Sequence, residues 1–192
     1  MGVATLVSRL NKIDEMIIQR HRPPHVYLDD TYYFVTTGTF HKMILFDNHE
    51  KKKLVRSALE MSVKKHRYLL TAWVILSNHF HILFKTSKGQ LLPRFLSGIT
   101  GKSAIELNKL DKRTGRKCWY QYWDRCIRDN RYFWTRVNYI HYNPVKHGYV
   151  IRMGDYVFSS YRLYLKTKGQ EWITSCFMEF PIKDFFIEED QF

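Results

Sequence analysis

Residues 68 to 76, YLLTAWVIL, are almost continuously apolar, and after the break Ser77-Asn78 a second run, HFHILFK, follows at once. An apolar run of this length, rich in aliphatic and aromatic residues, reads as a central strand covered on both faces, and Ser77-Asn78 offers the turn into the next strand. The chain must therefore bury two neighbouring strands, and the remaining segments have to supply the layers that cover them. Upstream, TYYFVTTGTF, residues 31 to 40, has the aromatic and β-branched content of a strand. From His49 to His66, Leu54, Val55, Ala58, Leu59 and Val63 recur at helical spacing with cations between them. Downstream, residues 90 to 108 carry a second apolar stripe through Leu92, Phe95, Leu96, Ile99 and Ile105, weakened by Gly98 and Gly101. Asp111 to Lys117 is a basic loop, and CWYQYWDRCIR is a short aromatic strand or an irregular segment. Asp129 or Asn130 then caps a helix running to Asn143, where Pro144 disfavours helix in the residue before it. The order β-α-β-β-α-β predicts an α+β fold, a ferredoxin-like antiparallel sheet with helices on one face and extra helices beyond them.

With 192 residues the chain suits one domain of roughly 100 to 200 residues. Residues 1–26 read as an amphipathic helix and a Pro23-Pro24 linker, residues 27–165 as the domain, and residues 166–192 as an extension whose end is acidic and aromatic. Three cysteines without CxxC spacing indicate neither a disulfide framework nor a zinc knuckle and fit a reducing compartment. No apolar run approaches the roughly 20 residues of a membrane span, and the interrupted amino terminus is unlike a secretion signal. A cytoplasmic protein with no membrane partner is expected. The formal charge of +13 attracts polyanions, and nucleic acid is the expected one.

The histidines in HFH need a reason. Side chains alternate along a strand, so His79 and His81 point to one face while Phe80 points to the other. Two imidazoles on one face can chelate a single metal ion, although exposed strand histidines are often just solvated. In VNYIHYNPV, residues 137 to 145, Tyr139 and Asn143 stand at i and i+4, one above the other on a helix. A nucleophile and a carbonyl ligand can then face a metal held by the strand. Equally, Tyr139 can be a core aromatic and Asn143 the end of the helix.

Taken together, HFH after an apolar strand, WDRCIRDN, and YIHYNPVKHGYV resemble the REP-associated tyrosine transposases, relatives of the single-tyrosine IS200-like transposases of small bacterial insertion sequences in the HUH endonuclease superfamily. The likeness covers roughly residues 27 to 165. It implies His79 and His81 as metal ligands with Asn143 as a third, and Tyr139 as the nucleophile that opens a phosphodiester in single-stranded DNA. It also implies a 5′-phosphotyrosine intermediate, a hairpin-forming repetitive DNA as partner, action as a monomer or homodimer, and a bacterial cytoplasmic setting on the nucleoid. Ser77 stands where the family usually has proline. Tyr142 is a second tyrosine nearby, but its direction is roughly 100° from that of Asn143 against about 40° for Tyr139.

For such a site, two imidazoles and an amide oxygen suit Mg²⁺ or Mn²⁺, with Mn²⁺ better matched to nitrogen ligands. The phenol must lose its proton on attack, and His141 and Lys146 are both candidates to receive it or to touch the phosphate. Phosphate contacts are expected from Lys51, Lys52, Lys53, Lys112, Arg113, Arg116, Lys117, Arg125, Arg128 and Arg131. Tyr120, Tyr122, Trp123 and Trp134 can stack on bases or fill the core. The competing expectation is a hairpin DNA-binding regulator of the same fold without turnover.

Overall fold

The computed structural model describes residues 25–182. The expected amino-terminal helix and the acidic end of the chain lie outside the described residues. Four strands, β1 (Tyr32–Thr39), β2 (Leu69–Ile75), β3 (His79–Lys85) and β4 (Trp119–Cys126), form one antiparallel sheet in the order β2-β3-β1-β4. Helices α1 (His49–His66) and α2 (Leu92–Leu110) join the strands in the expected β-α-β-β-α-β order. Three more follow: α3 (Asn130–Lys146), α4 (Tyr161–Lys168) and α5 (Gln170–Glu179). Helix α4 thus spans the position at which the domain was expected to end.

The alternation of β3 builds two layers. Phe80, Ile82 and Phe84 face α1 and α2, where Phe84 meets Phe95 with ring centroids 4.7 Å apart and Tyr68 at 5.5 Å. The two helices approach closely because Gly98 sits opposite Ser62: a Cβ there would lie 3.0 Å from Ser62 Oγ, which instead donates to Phe95 O at 2.7 Å. The glycine that weakens the helical pattern in the sequence is what lets the pair pack. The first strand-to-helix junction is capped as the chemistry asks, with Asn48 Oδ1 accepting from Lys51 N at 3.0 Å and Arg67 closing the helix in the left-handed region.

On the opposite face lies α3. Asp129, rather than Asn130, is its cap, accepting from Tyr132 N at 2.6 Å. Contrary to the expectation from Pro144, the helix continues to Lys146. Pro144 forfeits only its own bond to the preceding turn, and the end is closed by Gly148 at φ +69°: Gly148 N donates to Val145 O at 3.0 Å and Tyr149 N to Pro144 O at 2.9 Å. This paired closure satisfies the last carbonyls. Helix α5 braces α3 from behind, with Asn138 Nδ2 donating to Cys176 O and Phe180 O at 3.0 and 2.9 Å. The outer edge of β2 is covered by the segment before α4, where Ile75 N donates to Phe158 O at 2.9 Å and Ser160 N to Trp73 O at 2.9 Å. Cys118, Cys126 and Cys176 are free thiols. Among the described residues no helix is long and apolar enough to cross a membrane.

Candidate active site

The site forms where α3 crosses the histidine face of the sheet. His79 and His81 are both buried, with ring centroids 5.0 Å apart. Each ring is oriented through Nδ1. His79 Nδ1 donates to Asn78 Oδ1 at 2.8 Å, and His81 Nδ1 shares a 2.9 Å hydrogen bond with Thr36 Oγ, its direct neighbour across β1. An amide oxygen only accepts, so the His79 proton sits on Nδ1 and the lone pair is on Nε2. Burial first, and then the neighbouring His81 and His147, hold the pKa of His79 well below the usual imidazole value, and Asn143 opposes the shift. Burial, then His147, Lys146 and Arg136, does the same to His81. Both rings are therefore neutral near pH 7, the form that ligates metals.

Helix α3 presents Tyr139 and Asn143 to this pair. The Tyr139 ring, only 3% exposed, lies 5.4 Å from the His81 ring and edge-on to Phe34 at 6.2 Å. Lys146 Nζ donates to its phenol oxygen at 3.3 Å. Partial burial lowers the pKa of Lys146. Asn143 is fully buried against His79, yet neither atom of its amide makes a well-formed hydrogen bond. A buried amide left in that state costs about 1–3 kcal/mol and marks a place where a ligand is expected. The donor set thus fits a divalent cation: two neutral imidazole nitrogens and a buried amide oxygen without a well-formed hydrogen bond. Among the described residues no three His, Cys, Asp or Glu side chains gather around one point.

Of the two proton-transfer candidates, the structure brings only Lys146 to the phenol. His141 faces away, buried between α3 and α4, where its Nε2 shares a 3.0 Å hydrogen bond with Ser160 Oγ and its ring meets Tyr164 at 4.8 Å. Burial lowers its pKa to about 3. Tyr142 also points elsewhere, lining a cavity of about 630 Å³ with Arg152, Asp155 and Tyr161.

The expected phosphate contacts divide by environment. Lys51 is held between Asp47 at 3.4 Å and Asp111 at 3.3 Å, and Arg116 pairs with Asp111 at 2.7 Å. Lys52 is buried with its ammonium 5.7 Å from the centre of the Tyr149 ring. These three tie the fold together. Lys53, Lys112, Arg113, Arg125, Arg128 and Arg131 are exposed, as is Lys117, which lies 4.4 Å over Phe40. Arg125 stands opposite Phe34 in the sheet, and Trp123 opposite Thr36, which is itself opposite His81. Arg125 and Trp123 therefore share the face of the histidines. Arg128 lines a groove of about 500 Å³ with Tyr32, Phe133 and Trp134.

Three residues at the site were missed by sequence reasoning. His147 lies with its ring 5.0 Å from that of His79 and its Nε2 buried without a hydrogen-bond partner. It stands four residues after Asn143, a spacing hidden by the expectation that Pro144 ends the helix. Thr36 had no signal, since its partner comes from strand register. Arg136 is 3% exposed, its guanidinium 4.5 Å from both the Phe34 and Tyr132 rings. Its place three residues before Tyr139 was the available clue.

The family described as Transposase IS200 like matches residues 27–143, more than half of the chain. A REP-associated tyrosine transposase of Escherichia coli K12 is 25% identical over 138 residues, covering 67% of this chain and 79% of its own length. A Haemophilus influenzae protein that carries the same family name is 26% identical over 158 residues, covering 72% and 89%. A solved structure of a REP-associated tyrosine transposase bound to a REP hairpin superposes with a TM-score of 0.65 at 20% identity, over 78% of this chain and 87% of that one. At that identity the likeness is one of fold. From the matched segment, which contains the strand histidines and the helix tyrosine, the chain belongs to the family of IS200-like transposases.

Proposed function

We propose that the protein is a metal-dependent single-stranded DNA endonuclease and strand transferase that works through a 5′-phosphotyrosine on hairpin-forming repetitive DNA. The observation that carries the reading is the convergence of the buried Tyr139 with the buried, neutral pair His79 and His81, with Lys146 reaching the Tyr139 phenol from the exposed end of α3. The E. coli relative named for REP sequences and the hairpin-bound structural neighbour support the substrate class. His79, His81 and Asn143 would hold a divalent cation, Mn²⁺ or Mg²⁺, which when bound supplies Lewis-acid stabilisation of phosphate charge.

The chain's own residues do the rest. Partial desolvation lowers the pKa of Lys146 and so raises the share of its neutral amine, the form that can accept the Tyr139 proton. The phenolate oxygen attacks phosphorus, the bond from phosphorus to the 3′ oxygen breaks, and that oxygen leaves as a 3′-hydroxyl after taking a proton from solvent. The 5′ phosphate stays on Tyr139. Attack on it by another 3′-hydroxyl reverses the sequence, and the proton returns from Lys146 to the phenol, so cleavage and joining are one exchange. Asn78 holds His79 in the ligating tautomer, and Thr36 fixes the orientation of the His81 ring.

The test is incubation with a hairpin oligonucleotide bearing a single-stranded flank, with Mn²⁺ or EDTA. A denaturant-resistant adduct in wild type and its loss in Tyr139→Phe, with hairpin binding retained, is the expected result. Binding without any adduct would favour a hairpin-binding regulator of the same fold.

A further inference from the structure

We propose that Arg136 contacts the non-bridging oxygens of the scissile phosphate and neutralises their charge as Tyr139 attacks. The inference rests on the reading of Tyr139 as the nucleophile. Arg136 stands three residues before Tyr139 on α3, so both side chains project toward the same stretch of the sheet. Its guanidinium lies 4.5 Å from the Phe34 ring, and that ring in turn stacks on His81 at 5.6 Å and meets the edge of Tyr139 at 6.2 Å. Arg136, His81 and Tyr139 thus surround one aromatic side chain.

A guanidinium buried to 3% exposure is costly to desolvate and needs compensation. Two aromatic faces and a hydrogen bond from Nη2 to Tyr132 Oη fix the group in place. Such fixing is what a charge needs to act in catalysis, since an immobile cation reorganises little when negative charge develops nearby. Guanidinium is also the side-chain cation best matched to phosphate, with planar donors and a charge it does not lose. Lys146, the cation at the phenol, is assigned to the proton, and Arg125 is exposed on β4. In the step, the bond from Tyr139 Oη to phosphorus forms, the bond to the 3′ oxygen breaks, the phenol proton passes to Lys146, and Arg136 exchanges nothing.

The decisive experiment compares wild type with Arg136→Gln and Arg136→Lys on two hairpin substrates, one with a normal scissile phosphodiester and one with an uncharged methylphosphonate there. Thermal unfolding and hairpin binding are read alongside to set aside variants that do not fold. The expected result is that Arg136→Gln forms the covalent adduct about a hundredfold more slowly on the phosphodiester, yet within about threefold of wild type on the methylphosphonate, whose missing charge needs no cation. Arg136→Lys, which keeps the charge without the planar fork, falls between. Equal losses on both substrates, or no loss on the phosphodiester, would overturn the role. Wild type forming no adduct on the phosphodiester would overturn the nuclease reading itself, and this inference with it.

Discussion

Lys146 Nζ lies 3.3 Å from Tyr139 Oη across two turns of one helix, with the ammonium also 5.1 Å from the centre of the phenol ring. The pair exists because α3 runs through Pro144 instead of stopping before it. A helix ended at Asn143 would not place residue 146 in phase with residue 139.

Lys146 should set the pH profile of adduct formation. Burial lowers its pKa, so its neutral, proton-accepting form appears at lower pH than for a solvated lysine, and the rate should rise with pH through that lowered value. Lys146→Arg keeps the charge and cannot accept a proton near neutrality; its rate should fall about 100-fold, within the usual range for a lost general base. Its rising limb should move toward the intrinsic phenol value of about 10. Single-turnover rates from pH 6 to 10 check this, and an unchanged profile would assign the proton elsewhere.

Acid should destabilise the fold before any carboxylate titrates. His141 has a folded pKa of about 3 against an unfolded value near 6.5. Because the folded value is the lower one, its contribution is whole above pH 6.5 and is lost as pH falls toward 3, at about 1.4 kcal/mol per unit. His141→Gln, which cannot be protonated, should reduce the slope of unfolding free energy against pH between 6 and 4 by about one bound proton. Denaturant unfolding at several pH values measures it, and an unaltered slope would place the burial penalty on other groups.

The cations should separate into two classes. Arg128→Ala and Arg131→Ala, both exposed, should weaken hairpin binding and each reduce the salt dependence by about one phosphate contact. Lys51→Ala and Arg116→Ala, whose charges are engaged with Asp47 and Asp111, should leave the salt slope alone. Fluorescence anisotropy across a salt series gives both numbers, and matching slopes in the two classes would remove the distinction.

Metal binding should follow the donor set. Isothermal titration with Mn²⁺ should show binding to wild type that is lost in His81→Ala and weakened at least about tenfold in Asn143→Ala, as ligand removal commonly does. Retention of full affinity in Asn143→Ala would dismiss the amide as a donor.

Much of this architecture is legible in the sequence because hydrophobic period reports burial directly. The continuous run of β2, the alternation of β3 and the stripes of α1 and α2 all stand within a few residues of their expected positions. The HFH strand and the Tyr139 to Asn143 spacing were legible for the same reason, being local geometry. What was not legible depends on partners distant in sequence. Lys51 looks like any helix lysine until Asp111 is brought beside it, and His141 shares the motif of Tyr139 but lies on the other side of α3, facing Ser160. Pro144 misled because a local preference was outweighed by the glycine closure that follows it and by the burial of Asn143 and Pro144. Arg136 was hidden by its type, since an arginine on a helix is ordinarily solvated.

The identity of the nucleophile is the central claim, and it is tested most directly by digesting the covalent protein–DNA adduct with trypsin and locating the attached nucleotide by mass spectrometry. Tyr139 and Tyr142 stand three residues apart within one motif, and fragmentation separates them. The account predicts a nucleotide joined through its 5′ phosphate to Tyr139 and nothing on Tyr142, whose side chain lines the cavity beside Arg152. Attachment at Tyr142, or at a residue outside α3, would contradict it.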